Sequence, residues 1–163
     1  MDIQHLVDTP SDINEHLQTL MDYCNDKVVV EFGVRHAVST RAILQTCRQL
    51  TSYDIQTTKE ALEIDNPKRQ FVCDNTLRAD IEPCDILFID TFHTAEQLAK
   101  ELEQHTKVKE YMIFHDTITY WWKWENDTPW LRYALIPFLL EHKERIIKEH
   151  FTNNNWLLIL QRK

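Results

Sequence analysis

The sequence predicts an α/β fold: a doubly wound, mostly parallel sheet of seven strands that ends in an antiparallel C-terminal hairpin. Three observations carry this. Short β-branched or aromatic runs alternate with helix-patterned segments along all 163 residues, the order that builds parallel strands through helical crossovers. The run Cys84-Asp85-Ile86-Leu87-Phe88-Ile89-Asp90 is almost continuously apolar, as a strand covered on both faces must be. The last two strands, Arg145 to Phe151 and Trp156 to Gln161, are joined only by Thr152-Asn153-Asn154-Asn155, a link short enough to permit only antiparallel pairing. A single domain is expected over 1–163, with 1–26 a helical extension and 27–163 the core.

The elements follow in order. Ser11 is placed to cap a helix carrying Ile13, Leu17, Leu20 and Met21 at helical spacing. Val28-Val29-Val30-Glu31-Phe32 reads as the first strand and stops at Gly33. A helix from about Ser39 to Gln49 follows, with Ser39 or Thr40 as its cap. Leu50 to Asp54 is the second strand, Thr57 to Glu63 a short helix, and Arg69 to Cys73 the third strand, ending at Asp74. After the fourth strand, Thr94 and Gln97 form a capping box for a helix that turns Leu98 and Leu102 inward. Tyr111 to Phe114 is the fifth strand and stops at His115-Asp116. The loop from Thr117 to Thr128 is long and holds Tyr120, Trp121, Trp122 and Trp124, a cluster that suits a lid, a dimer contact or a satellite core equally well. Thr128 caps and Pro129 opens the next helix, with Leu131, Leu135, Phe138 and Leu139 inward.

Composition narrows the partners. Asp and Glu number 26 against 18 Lys and Arg, a formal net charge of -8, which repels phosphate backbones and anionic lipid. A nucleic-acid or membrane partner is therefore not expected. No apolar run approaches the roughly 20 residues that span a bilayer. The start Met1-Asp2-Ile3-Gln4-His5 lacks the pattern of a secretory leader. Cys24, Cys47, Cys73 and Cys84 have no ligand spacing and read as buried thiols of a reducing, cytoplasmic compartment. Lys143-Glu144-Arg145 reads as solvated surface.

There is one glycine, Gly33. Average usage would give on the order of eleven. Glycine-rich phosphate cradles are excluded, and with them a nicotinamide-dependent oxidoreductase, which needs G-x-G-x-x-G. The turns must come from Asn, Asp and Pro, and Asn153 to Asn155 can supply left-handed conformations.

Ligands of such sheets bind at the carboxyl ends of the strands. Those ends carry Glu31 and Gly33, then Asp54, Asp74, Asp90, and His115 with Asp116. Gly33 lets the backbone turn sharply beside a ligand and the next helix point its amino terminus inward. Asp54, 21 residues on, is placed to accept from ribose hydroxyls, and Asp74 to meet an adenine amino group. Asp is also a preferred cap, and either residue alone supports that reading; both in register with Gly33 favour a nucleoside site.

The segment Val29 to Arg35 with Ser39-Thr40, the acidic positions in Ser52-Tyr53-Asp54-Ile55 and Phe71-Val72-Cys73-Asp74, the run Asp85 to Asp90 with His93, and Ile113-Phe114-His115-Asp116 together resemble class I S-adenosylmethionine-dependent methyltransferases. They are most similar to the small-molecule O-methyltransferases of the macrolide-sugar and cephalosporin-biosynthesis type. The likeness runs in order over about residues 27–163 and includes the reversed last strand. It implies a Rossmann-like fold and a transferase that methylates a hydroxyl of a small metabolite or sugar. Glu31, Gly33, Ser39, Asp54 and Asp74 would bind S-adenosylmethionine. Asp90, His115 and Asp116 would hold a divalent metal (Mg or Mn), with Asp90 and His93 catalytic and His93 the base. Two positions depart from the family: His36-Ala37 stands where Gly-Gly is usual, and His115 where the metal-dependent members commonly have an acid. The first motivates an alternative, a catalytically inactive methyltransferase-like binding protein with an eroded cofactor loop. So short a chain leaves substrate choice to residues 1–26, to the 117–128 loop or to a neighbouring subunit, which makes a homodimer an expectation.

Overall fold

The computed structural model describes residues 11–117 and 131–163. The expectations for Tyr120, Trp121, Trp122, Trp124, Thr128 and Pro129 lie outside these residues. Seven strands form one sheet: β1 (Val28–Phe32), β2 (Gln49–Asp54), β3 (Arg69–Cys73), β4 (Cys84–Ile89), β5 (Val108–His115), β6 (Arg145–Phe151) and β7 (Leu157–Arg162). Their order is β3-β2-β1-β4-β5-β7-β6. Pairing is parallel from β3 through β5, whereas β7 runs antiparallel to both β5 and β6. The predicted sheet and its closing hairpin are both present. Winding reverses between β1 and β4, so the crevice beyond their carboxyl ends is where a ligand has room.

Among the described residues the α-helices are α1 (Leu17–Cys24), α2 (Val38–Thr46), α3 (Lys59–Leu62), α4 (Ala95–Leu102) and α5 (Arg132–Glu141). Period-two alternation sends Ile86 and Phe88 to one face with Leu17, Leu20 and Ile43, and Leu87 and Ile89 to the other with Leu98, Leu102, Leu135 and Phe138. Each fully buried aliphatic or aromatic side chain of this kind contributes about 1.5–3 kcal/mol. In the hairpin Asn154, Asn155 and also Trp156 take positive φ, so the turn is made without glycine.

Several local expectations need correction. Ser11 accepts a weak bond from Ile13 N at 3.5 Å and α1 begins six residues later, after a short 3-10 turn, so Ser11 is not its cap. Helix α2 is capped by no side chain; its N-cap is Ala37 in a left-handed conformation, and Ser39 and Thr40 instead donate to Glu31. A buried carboxylate outbids the exposed role of these hydroxyls. The helix also ends at Thr46, because Arg48 N and Gln49 N bond to Lys27 O and start β2. Helix α3 is a single turn capped by Thr58. Cys73 is exposed, unlike the other three cysteines, since it sits on the half-covered edge strand β3. Arg145 is 3 % exposed rather than solvated, its guanidinium donating to the carbonyls of His105 and Val108. No described helix is long and apolar enough to cross a membrane.

Candidate active site

A cavity of about 790 Å³ opens over the carboxyl ends of β1, β2 and β4. Gly33, Ser39, Asp54, Asp90, His93 and Asp116 all line it. Among the predicted residues, Glu31, Asp74 and His115 do not form its wall.

Gly33 has φ +89°, and a Cβ built there would lie 2.0 Å from the carbonyl oxygen of Asp90. Gly33 N donates to Tyr53 O and Asp90 N to Phe32 O, drawing three strand ends together. Glycine is required here both for its conformation and for that approach. Glu31 lies just beneath, fully buried, and accepts from Ser39 Oγ at 2.7 Å, Thr40 Oγ1 at 2.8 Å and Ser52 Oγ at 2.7 Å. Burial pushes its carboxyl up, and the three hydroxyls partly offset that. Glu31 therefore braces the β1–α2 loop from below the cavity.

Asp54 shapes the same loop from the side. Its Oδ2 accepts from Val34 N at 2.8 Å and Arg35 N at 3.0 Å, and its Oδ1 from Gln56 N at 2.9 Å. Oδ2 is filled by its two amides, whereas Oδ1 accepts one bond and retains acceptor capacity. Asp74 turns outward, its side chain 46 % exposed, pairing with Arg78 at 2.6 Å. That pairing and the Asn75 amide hold its carboxyl below the usual range. The next residue, Asn75, lines the cavity in its place.

The His36-Ala37 departure has a structural answer. Ala37 takes φ +58°, and its methyl packs with Val34 and Ala61 rather than in the cavity. His36 is exposed at the rim. The loop therefore keeps the backbone path glycine would take, at a cost of about 1–2 kcal/mol for each left-handed residue, and the crevice stays open.

At the far wall His93 Nε2 lies 3.1 Å from Asp116 Oδ2 and 3.7 Å from Asp90 Oδ1. These three residues offer ligand atoms within 4.8 Å of one another. His115 Nδ1 reaches Asp90 Oδ1 at 3.4 Å and Asp116 Oδ2 at 3.7 Å from behind the wall. Its Nε2 and Asp116 Oδ1 are buried with no hydrogen-bond partner among the described residues. An orphaned carboxylate oxygen beside a second carboxylate and two imidazoles is a donor set that fits a divalent cation. Asp116 is held in position by a left-handed backbone, φ +58°.

Burial lowers the proton affinity of His93, but Asp116 and Asp90 more than reverse this and raise it to about 10. Burial alone would raise Asp90; His115 and His93 beside it hold it well below the carboxylate range. Because the folded His93 value exceeds the unfolded one near 6.5, the stabilisation is fully present below about pH 6.5 and is lost as pH climbs toward about 10. In chelator-containing buffer, wild-type stability should fall across that interval by a few kcal/mol. The His93→Gln profile should be flatter there, as read by urea denaturation at each pH; parallel profiles would contradict the pairing.

Glu101 escaped the sequence reading. It is fully buried under the cavity wall, accepting from Thr76 Oγ1 at 2.6 Å, Gln97 Nε2 at 2.6 Å and Thr91 Oγ1 at 2.9 Å. The signal was available: position 101 falls on the inward face set by Leu98 and Leu102.

No protein-family model and no curated protein matches the chain. Solved structures do. The N-methyltransferase NodS from Bradyrhizobium japonicum, with S-adenosyl-L-homocysteine, is similar at TM-score 0.68 and 13 % identity, over 96 % of this chain and 90 % of that one. The 1,6-didemethyltoxoflavin-N1-methyltransferase from Burkholderia thailandensis, with S-adenosylhomocysteine, gives 0.69 at 10 % identity, over 98 % and 81 %. Magnesium protoporphyrin IX methyltransferase from Synechocystis, with S-adenosylmethionine, gives 0.68 at 12 % identity, over 93 % and 82 %. The chain has the class I methyltransferase fold.

Proposed function

We propose that this chain is an S-adenosylmethionine-dependent methyltransferase that methylates a hydroxyl of a small molecule such as a sugar, with a divalent cation at the acceptor end. The observation that supports it most is the open cavity at the switch point, where Gly33, Asp54 and the Asp90–His93–Asp116 cluster converge. Asp54 is positioned to accept from ribose hydroxyls. Ile55, apolar and 65 % exposed beside it, offers a face to the base, and Asn75 a polar edge. Gly33 lets the Asp90 backbone close against β1 and so fixes the floor on which a ligand would lie.

S-adenosylmethionine, when bound, supplies a methyl group on a positively charged sulfur that is its own leaving group. What the protein must add is positioning and a proton acceptor. Asp90 and Asp116 would hold the cation, with an imidazole completing the set, and such an ion acidifies a bound hydroxyl. His93 holds a proton at Nε2 between two carboxylates. With positive charge shared onto those carboxylates its proton affinity falls, which leaves Nε2 ready to accept from the acceptor hydroxyl. His115 Nδ1 reaches the same two carboxylates from behind the wall, so the imidazole of the cation set stays with His115, and His93 Nε2 is left to act as the base.

The test is ligand-induced stabilisation. Millimolar S-adenosylhomocysteine should raise the melting temperature by several degrees, as a ligand about 100-fold above its Kd contributes roughly 2.7 kcal/mol. Asp54→Ala should abolish the rise. An unchanged wild-type melting temperature would favour the alternative of a methyltransferase-like binding protein, although the open cavity, with the Ala37 methyl buried beside it against Val34 and Ala61, argues against it.

A further inference from the structure

We propose a second metal site, for a transition metal such as Zn²⁺, built from His105, His142 and Glu144 at the opposite end of the sheet from the cavity. His105 lies in the 3-10 turn Glu103–Lys107 that leads into β5, His142 caps the end of α5, and Glu144 stands just before β6. Both β5 and β6 start here, so the cluster sits at the amino ends of the strands and belongs to no catalytic crevice.

Glu144 Oε1 is 3.5 Å from His142 Nδ1 and 3.8 Å from His105 Nδ1. All three ligand atoms fall within 4.8 Å of one another. Zinc bonds of about 2.0–2.1 Å at tetrahedral angles place neighbouring ligand atoms about 3.3 Å apart, within about half an ångström of both Glu144 separations. The two imidazoles already lie side by side, centroids 4.0 Å apart, both against the ring of Phe138. Two imidazoles and one carboxylate match the preference of zinc, nickel or copper, not magnesium.

The backbone under each ligand is fixed. His105 O accepts from the buried guanidinium of Arg145 at 2.6 Å. His142 N donates to Phe138 O and its carbonyl accepts from Arg145 N. Glu144 O accepts from Lys163 N at 2.8 Å. Burial, with His142 and Arg145 nearby, lowers the proton affinity of His105, which keeps its imidazole in the form that ligates. A metal here clamps the α4–β5 crossover to the α5–β6 turn and is structural.

The experiment is Zn²⁺ calorimetry and melting on the whole chain in the Asp116→Asn background, which disables the carboxylate cluster at the cavity. One Zn²⁺ should still bind at roughly 100 µM and raise the melting temperature by several degrees. Glu144→Gln, which keeps the shape, should weaken binding at least about tenfold, and His142→Ala should remove it. Co²⁺ should give the visible absorption of a low-coordinate nitrogen and oxygen site, absent in His142→Ala. Zinc affinity unchanged by Glu144→Gln, or no binding at that concentration, would overturn the site. The outcome is independent of whether the cavity takes S-adenosylmethionine.

Discussion

Gly33→Ala should lower stability by about 3–5 kcal/mol, a drop in melting temperature of roughly 10 °C for a chain of this size. Two penalties add. At φ +89° any Cβ is strained, and this one would sit 2.0 Å from Asp90 O. That oxygen belongs to backbone held by Asp90 N donating to Phe32 O, so it has no easy way to retreat. The β4 end must move, and Asp90 with it. The variant should therefore lose both thermal stability and any binding in the crevice, whereas Ala37→Gly, at a left-handed position whose methyl packs in a small cluster, should be nearly neutral. Comparable melting temperatures for Gly33→Ala and wild type would mean that the strand ends are not pinned as described.

Glu31→Ala should cost a similar amount, about 3–5 kcal/mol. It removes the acceptor of three buried hydroxyls, on Ser39, Thr40 and Ser52, and opens a void under the loop. Glu31→Gln should retain most of the stability, since hydroxyls can rotate to donate to an amide oxygen or accept from its nitrogen. Because burial raises the folded carboxyl above its unfolded value, the ionised form is costly and stability falls as pH rises just above the usual Glu range. Gln at this position should remove that slope. Urea denaturation of the two variants separates the reading: equal, mild losses for Ala and Gln would show that the hydroxyls find other partners.

Much of this was legible in the residues. The sheet, its hairpin and the ring of acidic strand ends follow from alternation and from a four-residue link, features that are local and periodic. What escaped is non-local. Ser39 and Thr40 look like helix caps until a buried Glu31 lies beneath them, a contact spanning eight and nine residues. Asp74 and Asn75 are adjacent and both suited to a polar contact; Arg78 one turn on draws the first outward. Arg145 sits in a charged triplet that reads as surface, yet the carbonyls of His105 and Val108 draw its guanidinium inside. The contribution of His93 was visible as a histidine three residues after Asp90, but its place between two carboxylates depends on β5 lying beside β4.

The most direct test is a crystal structure with S-adenosylhomocysteine. The account predicts the nucleoside in the crevice, ribose hydroxyls within hydrogen-bond distance of Asp54, the base along Ile55 and Asn75, and the sulfur directed toward Asp90 and His93. A crevice that holds no nucleoside at saturating ligand, or one closed by the His36 side chain, would contradict it.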